Sequence, residues 1–361
     1  MINILYMLET GGPGGAEAVF LSLVNNINRK GFKPYVVLLK KGWAYENLKE
    51  TTKDIYVIPS QRKYDLLLIF KLCRFIRKNH IHIVNSHLKD INFYSSVATR
   101  FMGIPHIAVE HGNIHLGHLS GEKRLKTKLT NLFTTKYIAI SQYTRGKLKD
   151  IIGNDRKIEV IYNGVQDGAY QRALKKSDLG FNSEDFLILN LANLYPVKNH
   201  KCLIRVAREV VRKEPHVRFL IAGRGKLEGE LSSMIHEFGL DKNVILLGYR
   251  SDAERYLSVC DAYIQTSVSE GLPVSVIEAM SHEKPVIATN VGGTAELVDK
   301  ILVEPDDVST IADKILELIK DQKLRKELGG KNYLRYKRMF TVDKMVLEYE
   351  RLYKRLLIKA K

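Results

Sequence analysis

The chain is poor in cysteine: its 361 residues hold three, Cys73, Cys202 and Cys260, and no two stand in a C-x-x-C pair. That excludes a disulfide framework and a thiolate metal site, and it fits a reducing compartment. Acidic residues are also short, 40 Asp and Glu against 57 Lys and Arg, which leaves a formal net charge of +17. An excess of this size requires an acidic partner. Charge alone leaves three classes open: nucleic acid, an anionic membrane leaflet, or phosphorylated small molecules. No apolar run reaches the roughly 20 residues of a membrane span. The opening MINILYMLETGG has no basic segment ahead of its apolar run and no small-residue cleavage site, so it reads as a first strand and not as a signal peptide.

What is present is the profile of a folded globular protein, 45% hydrophobic and 27% charged, and 361 residues suit two domains better than one core. Short β-rich runs recur with helical patterns between them. INILYMLE, YVVLLK, DIYVIP, IHIVNS, HIAVEH, YIAIS and IEVIYNG occupy the first half, and FLILNLAN, VRFLIAG, NVILLGY, AYIQTS and PVIATNV the second. Near-continuous apolar strands alternating with helices predict parallel sheets covered on both faces, hence two doubly wound α/β domains. The polar stretch QDGAYQRALKKSDLGFNSED separates the halves and puts a boundary near residues 166–185, giving domains 1–168 and 169–340. Residues 341–361 form a basic amphipathic helical pattern carrying Met345, Leu347, Tyr349, Leu352, Tyr353 and Leu356.

In open parallel sheets, ligands bind at the carboxyl ends of strands, where loops lead into helices. GGPGGAE, residues Gly11 to Glu17, follows the first strand. Its glycines allow backbone N–H groups to converge, and the next helix start favours an anion. The spacing is neither G-x-G-x-x-G nor that of a P-loop, so dinucleotide and Walker readings fail, while a plain flexible turn stays open. SVSEGLPVSVIEAMSHEKPVIATNVGG, Ser267 to Gly293, carries Glu270 in a loop, Pro273 at an expected first helical position, and Glu278 about a turn and a half inside that helix. The helix start offers unpaired N–H groups and a positive dipole end to phosphate. Carboxylates do not bind phosphate but accept hydrogen bonds from hydroxyls, and phosphate beside hydroxyls describes a nucleotide sugar. The plain alternative for these glutamates is a solvated helix-end charge.

The E-x7-E spacing from Glu270 to Glu278, within SEGLPVSVIEAMSHEKPVIATNVGGTAELV, resembles the donor-site signature of retaining GT-B glycosyltransferases, in particular glycosyltransferase family 4. GGPGGAE, NGV (Asn163 to Val165) and IAGRG (Ile221 to Gly225) stand at the expected intervals, so the resemblance covers nearly the whole chain. It implies two Rossmann-like domains facing each other across a cleft, with the C-terminal helix packing back on the first domain. It also implies that Glu278 holds ribose hydroxyls, that Glu270 meets a hydroxyl of the donor sugar, and that Gly271, Leu272, Pro273 and Val274 line the sugar and diphosphate. Lys198, in NLYPVKNH, matches the lysine that neutralises the leaving diphosphate, where a fixed cation lowers the barrier. Gly14 and Gly15 match the glycines that approach the diphosphate. One position departs from the pattern: Asn193 stands where the family usually has arginine, and Arg224 is the candidate substitute.

His111, in IAVEHGN, matches the family histidine that contacts the transferred sugar. Its neighbours His115 and His118 raise a metal site, but the segment is broken by glycine, lacks H-E-x-x-H and has no cysteine. A packed or solvated histidine is the other alternative. His87, in VNSH, also ends a strand and reads as structural or peripheral. The catalytic set implied is therefore His111, Glu270 and Lys198, with no metal and no cofactor. The absence of D-x-D agrees with compensation of the diphosphate by lysine and a helix dipole.

Two basic amphipathic stretches lie in the first half. Residues Arg62 to His80 carry Lys63, Lys71, Arg74, Arg77 and Lys78 around Leu66, Leu67, Ile69, Phe70, Leu72, Phe75 and Ile76, and residues Lys123 to Lys136 carry Arg124, Lys126 and Lys128 beside Leu125, Leu129, Leu132 and Phe133. Such helices suit an anionic bilayer surface, or else are ordinary core-facing helices with solvated lysines. Nucleic acid is set aside because no recognised binding motif accompanies the charge. The expectation is a cytoplasmic glycosyltransferase, peripheral on the inner face of the cytoplasmic membrane. It would move a sugar from a nucleotide diphosphate, a UDP-sugar first among the candidates, to a lipid-linked saccharide in surface polysaccharide assembly. A nucleotide-sugar 2-epimerase, a sugar phosphorylase and a non-catalytic sugar-nucleotide-binding protein at the membrane are the rivals.

Overall fold

A computed structural model describes residues 1–60, 65–112, 121–168, 174–298 and 300–359. His115, His118, Arg62 and Lys63, and the side chain of Lys123, lie outside the described residues. The chain divides into an N-terminal unit, Met1–Gly164 with Val342–Lys361, and a C-terminal unit, Val165–Thr341.

The N-terminal unit contains strands β1 (Ile2–Leu8), β2 (Phe32–Leu38), β3 (Ile55–Val57), β4 (Ile83–His87), β5 (His106–Glu110), β6 (Lys136–Ala139) and β7 (Ile158–Val160). All pair in parallel in the order β3-β2-β1-β4-β5-β6-β7. Between them run helices α1 (Gly15–Asn26), α2 (Trp43–Leu48), α3 (Leu66–Lys78), α4 (Lys89–Met102), α5 (Gly121–Phe133) and α6 (Gln142–Ile152). Each strand run singled out in the sequence is found, because parallel strands covered on both faces read as near-continuous apolar runs. Ile4 to Leu8 of β1, for example, have no exposed surface.

The C-terminal unit contains β8 (Phe186–Leu191), β9 (Val217–Ala222), β10 (Val244–Gly248), β11 (Ala262–Gln265), β12 (Val286–Thr289) and β13 (Leu302–Val303), in the order β10-β9-β8-β11-β12-β13. Its helices are α7 (His200–Lys213), α8 (Glu228–Glu237), α9 (Ala253–Val259), α10 (Val274–Ser281), α11 (Val308–Lys320) and α12 (Gln322–Met339). Only the two-residue β13 has no counterpart in the sequence reading, being too short to show a pattern.

The division falls at Gly164/Val165, before the polar stretch rather than at residue 168. Backbone bonding explains this. The Val165 N–H donates to the Phe340 carbonyl (3.0 Å), Val165 bridges to Thr341, and the Tyr336 hydroxyl donates to the Val165 carbonyl (3.2 Å). Asp167 accepts from the Tyr333 hydroxyl and the Lys337 ammonium. The segment after Gly164 is thus tied to the end of α12.

Helix α13 (Val342–Lys359) belongs to the N-terminal unit and packs on α1. Met345, Tyr349, Leu352, Tyr353 and Leu356 are buried at helical spacing, whereas Leu347, two positions off the stripe, is 45% exposed. The Tyr353 hydroxyl accepts from the Asn85 amide (2.7 Å), and the Glu350 carboxylate accepts from the Asn28 N–H (2.9 Å). Among the described residues no helix is long and apolar enough to cross a membrane.

Candidate active site

In the C-terminal sheet the strand order reverses between β8 and β11, the place where open parallel sheets bind ligands. Four adjacent strand ends, those of β9, β8, β11 and β12, carry the loops that hold the sequence-predicted residues. Lys198 follows β8 and Glu270 follows β11. Because those strands are neighbours, the two side chains meet, with Lys198 Nζ 2.6 Å from Glu270 Oε1. The same oxygen accepts from Gln265 Nε2 at 3.1 Å. Glu270 is 8% exposed, so this is a carboxylate largely removed from water and matched to a cation.

Backbone contacts fix these loops. The Val268 N–H donates to the Val197 carbonyl (2.9 Å), and the Thr266 hydroxyl lies 3.2 Å from both the Lys198 and Asn199 carbonyls. From the β12 side, the Gly293 N–H donates to the Gly271 carbonyl (3.1 Å) and the Thr289 hydroxyl to the Ser267 carbonyl (2.5 Å). Gly292 has φ +57°, and a Cβ there would overlap the Glu270 carbonyl, so only glycine lets the two loops approach this closely. From the β9 side, the Leu194 N–H donates to the Arg224 carbonyl (3.0 Å), which brings the IAGRG turn against the residues around Asn193. The Arg224 guanidinium itself lies over the Tyr249 ring, 5.5 Å from its centroid.

Helix α10 begins at Val274, and Pro273 is its N-cap, one position earlier than the sequence reading gave. Among the described residues no side chain caps this start. Gly271, Leu272 and Pro273 are buried and Val274 is half-buried, which leaves the α10 N–H groups beside the Glu270 loop. Glu278, one turn inside, is half-buried, and among the described residues its carboxylate has no hydrogen-bonding partner. Burial, with the nearby Glu254 charge, raises its carboxyl to about 7. A carboxylate in such a place gains by accepting from hydroxyls. Close to the Glu270 loop, the Gln265 side-chain oxygen Oε1, the Ser267 hydroxyl and both ring nitrogens of His200 are buried without partners among the described residues.

In the N-terminal sheet the order reverses between β1 and β4. Gly14 caps α1 with extended backbone, and Gly15 begins the helix. Within this turn the Thr10 hydroxyl donates to the Glu17 carboxylate, beside Gly14. His111 follows β5, and its ring is joined to that of His87, the last residue of β4, with Nδ1 of His87 2.7 Å from Nε2 of His111. From the sequence alone His87 reads as structural or peripheral. Only the strand order brings the ends of β4 and β5 side by side, and a strand-terminal histidine in VNSH gave no sign of its partner. Burial lowers His111 to about 4 and His87 well below its usual value, so both are neutral at pH 7. Among the described residues no three His, Cys, Asp or Glu are grouped so as to hold a metal ion.

Comparison with known proteins bears on the family and the fold. Residues 171–335 match the family model for glycosyl transferases group 1, and residues 13–168 match that for glycosyltransferase family 4. The chain is 27% identical over 335 residues to UDP-Gal:alpha-D-GlcNAc-diphosphoundecaprenol alpha-1,3-galactosyltransferase of Escherichia coli, an alignment covering 86% of each protein. It is 30% identical over 219 residues to N-acetylgalactosamine-N,N'-diacetylbacillosaminyl-diphospho-undecaprenol 4-alpha-N-acetylgalactosaminyltransferase of Campylobacter jejuni, covering 58% of each. Among solved structures, Anabaena Alr3699/HepE in complex with UDP-glucose superposes with a TM-score of 0.87 at 23% identity, over 98% of this chain and 100% of that one. A glycosyltransferase from Rickettsia africae gives the same TM-score of 0.87 at 19% identity, over 99% of this chain and 98% of that one. At these identities the structural likeness is one of fold.

Proposed function

The chain belongs to glycosyltransferase family 4, the glycosyl transferases of group 1 built on the GT-B fold, and from that premise we propose a retaining, metal-independent hexosyltransferase. Its donor is a UDP-sugar and its acceptor a hydroxyl of a lipid-linked saccharide in surface polysaccharide assembly. The observation that carries this reading is the Lys198–Glu270 pair beside the start of α10.

The chemistry follows from charge. When the bond from the sugar to the diphosphate breaks, negative charge builds on the leaving phosphate, and a fixed ammonium with unpaired helix N–H groups stabilises that charge without a metal. Lys198 supplies the first and the start of α10, at Val274 and Ser275, the second. Glu270 keeps its second carboxylate oxygen for a hydroxyl of the sugar, and Glu278 accepts from the ribose. Gly14 and Gly15 approach the diphosphate, and the neutral imidazole of His111 contacts the transferred sugar. With no side chain assigned as nucleophile, a donor phosphate oxygen takes the acceptor proton on the face from which the diphosphate departs, so the anomeric configuration is kept. Asn193 holds no charge; the Arg224 backbone lies against Leu194 beside it, and the Arg224 guanidinium, which lies over the Tyr249 ring, is the candidate to swing in as the additional cation.

The UDP assignment is supported by the UDP-galactose in the name of the Escherichia coli relative and the UDP-glucose bound to the Anabaena protein. The diphosphoundecaprenol saccharides in the names of both bacterial relatives support the lipid-linked acceptor. A membrane-facing surface is supported by α3, which buries Leu68, Leu72 and Ile76 but exposes Leu66 (78%), Leu67 (59%) and Phe70 (64%) among Lys71, Arg74, Arg77 and Lys78. Helix α4 packs against both α3 and α5 and adds exposed Phe101, and α5 adds exposed Leu125 and Leu132. Apolar side chains ringed by cations suit an anionic leaflet, and the protein acts peripherally on the inner face of the cytoplasmic membrane.

Thermal shift with UDP, GDP, ADP and their sugar conjugates tests the donor site. A ligand at 100 times its Kd adds about 2.7 kcal/mol, a shift of several degrees for domains of this size. UDP and a UDP-sugar are expected to raise the Tm of the wild type and not that of Glu278→Ala. No shift with any uridine conjugate, or an equal shift in the variant, would remove the donor assignment or the ribose role respectively.

A further inference from the structure

We propose that His87 is a positioning residue for His111: the hydrogen bond between their rings fixes the tautomer of His111, so that its Nδ1–H is presented as a donor to the transferred sugar. The inference rests on the reading of His111 as the sugar contact.

The pairing is built by the sheet. In the parallel pairing of β4 with β5, His87 stands opposite Val109, and His111 comes two residues later, where alternation returns a side chain to the same face. The rings lie 28° from parallel with centroids 5.0 Å apart, and the Nδ1 to Nε2 separation is 2.7 Å. His87 is fully buried, and Phe20 of α1 meets it edge to face with centroids 5.0 Å apart. Directly after it, Leu88 has φ +82°, a conformation that a branched side chain rarely adopts, as the chain turns into α4. His87 is therefore clamped by its strand, by Phe20 and by the turn that follows.

Proton counting gives the consequence. Two neutral imidazoles that face each other through one nitrogen apiece share one proton on that line, so their tautomers are locked together. Either His87 donates from Nδ1 and His111 carries its own proton on Nδ1, or His111 donates from Nε2 and His87 carries its proton on Nε2. Among the described residues both outer nitrogens, Nε2 of His87 and Nδ1 of His111, are buried without a partner. Both nitrogens lie out of water, but His87 has no exposed surface at any atom, whereas His111 is only half-buried, so of the two stranded donors only the one on the His111 ring belongs to a residue that borders the surface. The first arrangement is the one the burial favours. An apolar ring at position 87 would pack against Phe20 with less desolvation, and what the imidazole adds is the direction of that hydrogen bond.

The test is ¹⁵N imidazole NMR of the full chain at pH 7, with the His111 signals assigned by their loss in His111→Gln, in wild type, His87→Phe and His87→Asn. Asparagine places an amide N–H near the position of the lost Nδ1. Wild type and His87→Asn are expected to show His111 protonated on Nδ1 alone, and His87→Phe to show a mixture of tautomers. With UDP-sugar, kcat for transfer or donor hydrolysis is expected to fall roughly 10²-fold in His87→Phe and to recover largely in His87→Asn, with the UDP thermal shift unchanged in both. Should His87→Phe fail to fold, His87→Leu makes the same comparison. His111 protonated on Nε2 in the wild type, or an unaltered His111 spectrum in His87→Phe, would overturn the proposal. Absence of turnover in the wild type with the tautomer lock intact would count against the transferase reading alone, because the spectrum does not depend on the substrate.

Discussion

Two carboxylates eight positions apart occupy opposite electrostatic situations. Glu270 is matched at one oxygen by Lys198 and Gln265, while Glu278 has no partner among the described residues and is raised to about 7 by burial. A carboxyl whose folded value lies above its ordinary 4.5 binds its proton more tightly when folded. Between about pH 4.5 and 7 the folded state therefore holds more protons than the unfolded one, and stability falls as pH rises through that window. Above it, the ionised form costs on the order of 3 kcal/mol. Glu278→Gln keeps the shape without the charge. In denaturant unfolding it is expected to exceed the wild type in stability by about 2–3 kcal/mol at pH 8, by less than about 1 kcal/mol at pH 5, and to match it below about pH 4. A difference that does not change with pH would show that burial does not govern this group. A residue retained at such a cost is one whose ionised form has a use, and hydroxyl ligands are the use proposed.

Among the elements, α13 shows how a terminal segment is recruited. Its stripe of Met345, Tyr349, Leu352, Tyr353 and Leu356 closes over the N-terminal unit, and Tyr353 sets its ring edge to face against Tyr6 with centroids 6.3 Å apart. Its hydroxyl is the acceptor for the Asn85 amide, whose Oδ1 is already buried without a partner among the described residues. Tyr353→Phe strands that amide as well, and an unsatisfied buried donor costs roughly 1–3 kcal/mol. A drop of several degrees in the Tm of the N-terminal unit is expected. Leu347→Ser, on the exposed side of the same helix, should leave the Tm nearly unchanged, and calorimetry of the two variants makes the comparison. Equal Tm values would mean that the Asn85 contact adds nothing. Helix α10 shows a different logic: it is only eight residues long, is capped by Pro273 without a side-chain hydrogen bond, and its position depends on Gly292 passing close to the Glu270 carbonyl.

At the scale of the whole molecule, a net charge of +17 calls for a counter-surface. The cations that α3 exposes lie among Leu66, Leu67 and Phe70, which a solvated helix face would not present. Each basic residue near an anionic leaflet contributes about 1 kcal/mol, and the attraction fades with salt. Co-sedimentation with vesicles containing phosphatidylglycerol is expected at low salt and is expected to weaken by tenfold or more in Phe70→Asp, with UDP binding unchanged. Equal retention of wild type and variant, or none of either, would remove α3 from the membrane-facing surface.

The sequence by itself determined the parts that local physics controls. Near-continuous apolar runs such as NILYML and LILNL are strands because a sheet buried on both faces admits little else, and glycine, proline and glutamate at fixed intervals from Glu270 to Glu278 marked the loop on which the proposed donor site rests. Tertiary structure decided what depends on which strands become neighbours. Lys198 and Glu270 are 72 residues apart and touch because β8 lies beside β11. His87 and His111 are 24 apart and share a hydrogen bond because β4 lies beside β5. The boundary at Gly164 was hidden for the same reason: it rests on hydrogen bonds from Val165 to Phe340 and from Tyr336, and pairing between such distant residues leaves no trace in the composition of either segment.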